Sequence, residues 1–196
     1  MNKMVVRCGW AEYNEKMKIY HDTEWGTPVL DDHLLFEFLT LEGAQAGLSW
    51  NTILQKRENF RRSFDNFDYD KIAKYDARKV ESLLTDEGII RNRLKIQSVI
   101  SNAKALLKVQ DDFGSFSKFI WKFMNDKPLI NKFKALEELP SKTKLSELIS
   151  KDLKKRGFKF VGPTICYAFM QAVGMVNDHT TDCFRYEEII KLIRKS

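Results

Sequence analysis

Apolar residues recur at steps of three and four through most of this chain, which is the spacing of one helix face, and the alternating runs of strands hardly appear. Asp31 and Asp32 precede the stripe Leu34, Leu35, Phe38 and Leu39, the order expected at a helix start. Ser49 is placed to cap a second helix carrying Ile53, Leu54, Phe60 and Phe64. Asp76 opens a third around Val80, Leu83 and Leu84 that stops at Gly88. From Arg91 towards Gln110, the residues Leu94, Val99, Ala103, Leu106 and Leu107 share a broad face, and Phe116, Phe119, Ile120 and Phe123 form a shorter piece. Asn125 to Ser141 is the least regular stretch and holds Pro128 and Pro140. Leu145, Leu148, Ile149 and Leu153 then predict a helix running into Lys154-Lys155-Arg156-Gly157, followed by an apolar helix from Thr164 to Val173 and the polar turn Asn177-Asp178-His179. The pattern predicts an all-α chain of roughly seven to nine helices packed as a compact globular domain over residues 1–196.

Composition narrows the class. With 43% hydrophobic and 12% aromatic residues, the 196-residue chain can bury a sizeable core and is not a disordered segment. No apolar run is long enough to span a membrane, and MNKMVVRCGW lacks the stretch of a signal peptide, so a cytoplasmic protein is expected. Thirty-three Lys and Arg against 27 Asp and Glu give a net charge of +6. That balance suits a polyanion, and it suits a solvated surface equally well.

The basic residues are not spread evenly. Lys151, Lys154, Lys155, Arg156 and Lys159 crowd one junction between helices, opposed by Asp152. Within it, Gly157 can end a helix in the left-handed region, Gly162 can keep the turn tight, and Pro163 suits the first turn of the next helix. The free amides and positive dipole end of that helix are a cradle for phosphate, although an ordinary helix–turn–helix corner has the same spacing.

Three cysteines in a reducing compartment are poor disulfide candidates. Cys8 and His21 lie near one end of the sequence, and His179 and Cys183, four apart, near the other. Two such pairs would make the Cys₂His₂ set that structural zinc prefers, or they are small buried hydrophobes and satisfied core histidines. Cys166, inside Ile165-Cys166-Tyr167-Ala168-Phe169, reads as a packed thiol, and His33 as surface.

Rings and acids cluster in Cys8-Gly9-Trp10, in Tyr20 to Gly26, and in Leu41 to Trp50. Glu42 follows the stripe that ends at Leu39 and falls on or beside its inward face, where a carboxylate is costly without a partner. It is a site candidate, with a buried acid satisfied by backbone donors as the rival reading.

Longer strings decide between these alternatives. RCGW, YHDTEWG, LEGAQAGLSW, KRENF, GIIRNR, KKRGFKFVGPTICYAFMQAVG and VNDH with a Cys four after the His run from Arg7 to about Cys183. Through them the chain resembles the bacterial DNA-3-methyladenine glycosylase I family of the helix-hairpin-helix superfamily. The resemblance implies hydrolysis of the N-glycosidic bond of 3-methyladenine in double-stranded DNA, by a monomer that needs no protein partner. It implies one structural Zn²⁺ on Cys8, His21, His179 and Cys183, joining segments of about 1–26 and 177–185. It implies DNA gripped by the hairpin of residues 154–164, through Lys155, Gly157, Lys159 and Gly162, with Leu48 filling the gap left in the duplex. The base pocket would comprise Trp10, Tyr20, Glu42 and Trp50, with Glu42 the catalytic residue, ionised to oppose a cationic base. Asp178 either positions water or orients the neighbouring zinc ligand. No lysine follows the hairpin in Val161-Gly162-Pro163-Thr164, so strand cleavage through a Schiff base is not expected.

Overall fold

A computed structural model of the protein describes residues 5–195. Most helices start where a short polar side chain accepts a hydrogen bond from a backbone amide of the first turn, so the sequence punctuates its own fold. Asn14 caps α1 (Glu15–Thr23), Asp31 caps α2 (Asp32–Gln45), and Ser49 caps α3 (Trp50–Ser63). Asp68, Asp76 and Asn92 do the same for α4 (Tyr69–Ile72), α5 (Ala77–Thr85) and α6 (Arg93–Phe113). Ser115 caps α7 (Phe116–Trp121), and Thr143 forms a capping box with Ser146 on α8 (Lys144–Lys155). α9 (Pro163–Ala172) has no side-chain cap, and α10 (Phe184–Lys195) closes the described chain.

Helix α2 is the centre of the molecule. Its residues from Leu35 to Ala44 are buried, with α3, α6, α7 and α9 packed around it. A helix buried all round should be apolar, yet this one carries two buried acids. Glu37 is satisfied: its Oε1 accepts from Arg57 Nε at 2.5 Å and Arg61 Nη2 at 2.8 Å. Glu42 has no such partner, and its Oε2 is buried without a hydrogen bond among the described residues.

The structure adds to the predicted pattern at several points. There are ten α-helices among the described residues, because the short α4 and the end helices α1 and α10 escape the spacing analysis. The third predicted helix ends at Thr85 rather than Gly88. Leu94 and Leu148, placed on inward faces by periodicity, are exposed, which a broad amphipathic face tolerates at its edges. The irregular stretch after Asn125 contains a two-residue strand, β1 (Leu129–Ile130), paired in parallel with β2 (Val176–Asn177). Tertiary pairing across distant sequence produces it, so no local alternation announces it. Thr181 N–H donating to Phe133 O extends the seam.

Candidate active site

The two ends of the described chain meet at a buried cluster. Cys8 precedes a 3₁₀ turn (Gly9–Tyr13), His21 projects from α1, His179 follows β2, and Cys183 precedes α10. Cys8 Sγ lies 3.5 Å from His179 Nδ1, Cys183 Sγ lies 3.4 Å from His21 Nε2, and the two ring nitrogens are 3.2 Å apart. All four ligand atoms fall within 4.8 Å of one another. The outer ring nitrogens are occupied: His21 Nδ1 is 2.8 Å from Asp22 Oδ1 and His179 Nε2 is 3.1 Å from Trp25 O. Those bonds turn the inner nitrogens towards the thiols as acceptors, which is how metal-binding imidazoles are held. Arg7 donates in turn to both oxygens of Asp22. Within the thiol pair, the Cys8 hydrogen bond holds Cys183 low, and the same contact plus burial pushes Cys8 up. Two soft sulfurs and two imidazoles in a closed, buried set fit a tetrahedral divalent metal.

This cluster is the back wall of a second feature. Trp10 lies edge-on to His21 at 5.3 Å and to Trp25 at 5.1 Å, and Trp25 meets His179 at 4.6 Å. In front of these rings is a cavity of about 240 Å³ whose lining includes Trp10, Tyr20, Trp25, Glu42 and Trp50. The rings of Tyr20 and Trp50 are 5.2 Å apart, and Tyr20 also packs on Phe38. Two of the polar atoms on these walls have no partner among the described residues, Glu42 Oε2 and Trp50 Nε1. Buried donors and acceptors are ordinarily paired, so their joint occurrence marks a place kept for a ligand. Burial alone raises the Glu42 carboxyl to about 8, which favours its neutral form in the free protein. The ionised Glu42 expected from the sequence belongs to the complex with a cationic base, and burial opposes that charge while the cavity is empty. Burial, then Glu42 itself, also lifts the Tyr20 phenol well above its ordinary value.

A second cavity of about 230 Å³ shares Glu42 and extends along Gln45, Gly47 and Leu48 to Thr164, Ile165 and Ala168 of α9. Leu48 is exposed on the loop leaving α2, where Gly47 takes φ +76°. Lys95 Nζ holds that loop by donating to Ala44 O at 2.8 Å and Ala46 O at 2.7 Å, a cation on a helix C-terminus. The α8–α9 turn lies against the same end of α2. Gly43 makes the approach possible: a Cβ there would sit 3.3 Å from Phe160 Cβ. Gly157 takes φ +97°, as its place after α8 predicts. The side chain of Asn102 clamps the turn, accepting from Lys159 N at 2.7 Å and donating to Lys159 O at 3.1 Å. Lys151, Lys154, Lys155 and Lys159 are exposed. Arg156 is not available with them, since it pairs with Asp152 and Asp112 and stacks over Phe113 at 4.7 Å. Gly162 is the N-cap of α9 and offers no side chain, which leaves the first amides of that helix open.

A profile of the methyladenine glycosylase family matches residues 10–186. The chain belongs to this family. DNA-3-methyladenine glycosylase 1 of Escherichia coli K12 is 51% identical over 180 residues, 92% of this chain and 96% of that protein. DNA-3-methyladenine glycosylase of Haemophilus influenzae is 48% identical, over 92% of this chain and 97% of its own length. A crystal structure of 3-methyladenine DNA glycosylase I superposes with a TM-score of 0.89 at 51% identity, over 91% of this chain and 98% of the other. A crystal structure of a 3-methyladenine DNA glycosylase I variant in complex with 3-methyladenine gives 0.88 at 35% identity, over 91% and 96% of the two chains.

Within this family member, Trp10, Tyr20, Glu42 and Trp50 line one cavity, and Cys8, His21, His179 and Cys183 form one buried group that could hold a metal. The sequence leaves other lining residues unmarked. Met17, Gln45, Leu136, Leu139, Ala168 and Gln171 also line the first cavity. Leu136 and Leu139 come from the irregular stretch, brought there by the β1–β2 pairing, and carry no motif of their own. Asp178 does not line either cavity: Asn131, Tyr167 and Gln171 donate to its two oxygens. His33 is exposed and Cys166 is fully buried, its thiol pushed up to about 12 by burial, as a core residue should be.

Proposed function

We propose that the protein excises 3-methyladenine from double-stranded DNA by hydrolysing its N-glycosidic bond. The observation that carries this reading is the pair of unpartnered polar atoms, on Glu42 and Trp50, in a ring-lined cavity beside an exposed basic turn. A stacked base reaches such a cavity only after rotation out of the duplex. The exposed Lys155 and Lys159, with Gly157 and Gly162, grip the phosphates, and Leu48 enters the gap.

Methylation at N3 leaves the base cationic, and the rings of Trp10, Tyr20 and Trp50 each contribute about 0.5–2 kcal/mol to holding it. The cation also favours the charged form of Glu42, so the carboxyl yields its proton as the base seats and then opposes the positive charge directly. Water attacks the anomeric carbon and gives its proton to solvent. The glycosidic electron pair moves onto the purine, which departs neutral. A leaving group that is already charged needs no strong acid, unlike an ordinary glycoside. Neither cavity is lined by lysine, which supports a monofunctional enzyme that leaves an abasic site.

Cys8, His21, His179 and Cys183 hold one Zn²⁺ in this reading. The ion contributes no chemistry to the base; it crosslinks the ends that carry Trp10, Tyr20 and Trp25.

Chromatography of bases released from methylated DNA tests the proposal, with Glu42→Ala beside the wild type. Free 3-methyladenine should appear with the wild type, and its release should fall at least tenfold in the variant, more than about 1.4 kcal/mol of barrier. Activity within threefold of wild type would refute the role of Glu42, and a borohydride-trapped adduct would refute hydrolysis by water alone.

A further inference from the structure

Gln171 lies on the last turn of α9 and lines the cavity together with Ala168. Its Nε2 donates to Asp178 Oδ2 at 2.8 Å. Tyr167, one helical turn earlier on the same face, donates to that oxygen at 2.6 Å, and Asn131 Nδ2 donates to Asp178 Oδ1 at 2.6 Å. A carboxylate only accepts, so of the two ends of the Gln171 amide it can bind the nitrogen alone. The amide is thereby fixed in one of its two orientations. Its Nε2 is taken by Asp178, and Gln171 is one of the residues lining the cavity. Asn131 brings the stretch that carries Leu136 and Leu139 to the same carboxylate, so one buried acid orders two sides of the cavity.

We infer that Gln171 selects purines bearing a 6-amino group, its carbonyl accepting from that amine while Asp178 prevents the amide from turning over. The inference rests on the proposed base-excision reading and deepens it. Glu42 supplies attraction to any cationic purine, and it can serve a 6-keto base as a donor when neutral. A fixed carbonyl cannot: opposite a 6-keto oxygen it meets another acceptor, and both lose their partners in a desolvated place. Asp178 acts here as a positioning residue.

The test uses the metal-loaded full chain and DNA containing both 3-methyladenine and 3-methylguanine, with both released bases quantified. Wild type should prefer 3-methyladenine. Gln171→Met, close in volume and lacking the carbonyl, should release 3-methyladenine roughly tenfold or more slowly, with release of 3-methylguanine unchanged or higher. Its backbone carbonyl, which accepts from Gly26 N–H, is retained. Should that variant fail to fold, Asp178→Asn carries the same measurement: its amide can donate to Gln171, the side chain is free to turn, and the ratio of the two bases should fall. An equal loss of both bases, or no loss, overturns the inference while leaving the excision reading in place. If wild type releases no methylated base, both readings fall.

Discussion

Glu42→Gln should stabilise the fold while disabling the site, and the gain should depend on pH. The folded carboxyl titrates at about 8 against an ordinary 4.5, so between those values the folded protein holds one proton that the unfolded chain has lost. Stability of the wild type therefore declines as pH rises through that window, by up to about 1.4 kcal/mol per pH unit. At pH 7 the accumulated decline is about 3 kcal/mol. Glutamine copies the neutral acid in size and cannot ionise, so it escapes the decline. The two proteins should unfold at nearly the same urea concentration near pH 4.5. The variant should be ahead by about 3 kcal/mol at pH 7, equivalent to roughly 6–12 °C in Tm, and further ahead at pH 8. Ionisations at the metal cluster occur in both proteins and cancel in the difference, provided metal content is matched. A Gln-minus-wild-type difference that is flat from pH 5 to pH 8 would show that Glu42 is not held neutral by burial.

Two further outcomes follow from the surface and the metal cluster. Lys155→Glu and Lys159→Glu should each weaken binding to all DNA sequences alike and flatten the slope of log affinity against log salt by about 0.9 for every phosphate that is no longer neutralised. A weakening confined to particular sequences contradicts backbone binding. Stripping the metal with a strong chelator should release one equivalent of zinc per chain and lower Tm by roughly 10 °C or more. It should also change tryptophan fluorescence, because Trp10 and Trp25 pack on the two histidines. A metal-free protein with unaltered melting and emission would rule out the crosslinking role.

Much of this architecture is legible in the chain because its signals are local. Side-chain caps such as Asp31, Ser49 and Asp76, and Gly157 after α8, mark helix ends within a few residues. What escapes depends on distance. Nothing next to Glu37 or Glu42 says that one meets two arginines from α3 and the other meets none. The family resemblance gives the proposed role of Glu42, whereas the upward shift of its carboxyl follows only from the packing around it. Gln171 carries no sequence signal either, since its amide is held by Asp178 across a turn, and Tyr167 donates to the same carboxylate.

The joining of the two ends also sets a timetable. Cys8 and His179 are 171 positions apart, so a ribosome adding about 5–20 residues per second needs roughly 10–30 s between them. Throughout that interval Cys8 lacks its partners His179 and Cys183, and Trp25 has no His179 ring to lean on. The wall of the cavity behind Trp25 is therefore completed only when the last few residues before α10 have been made.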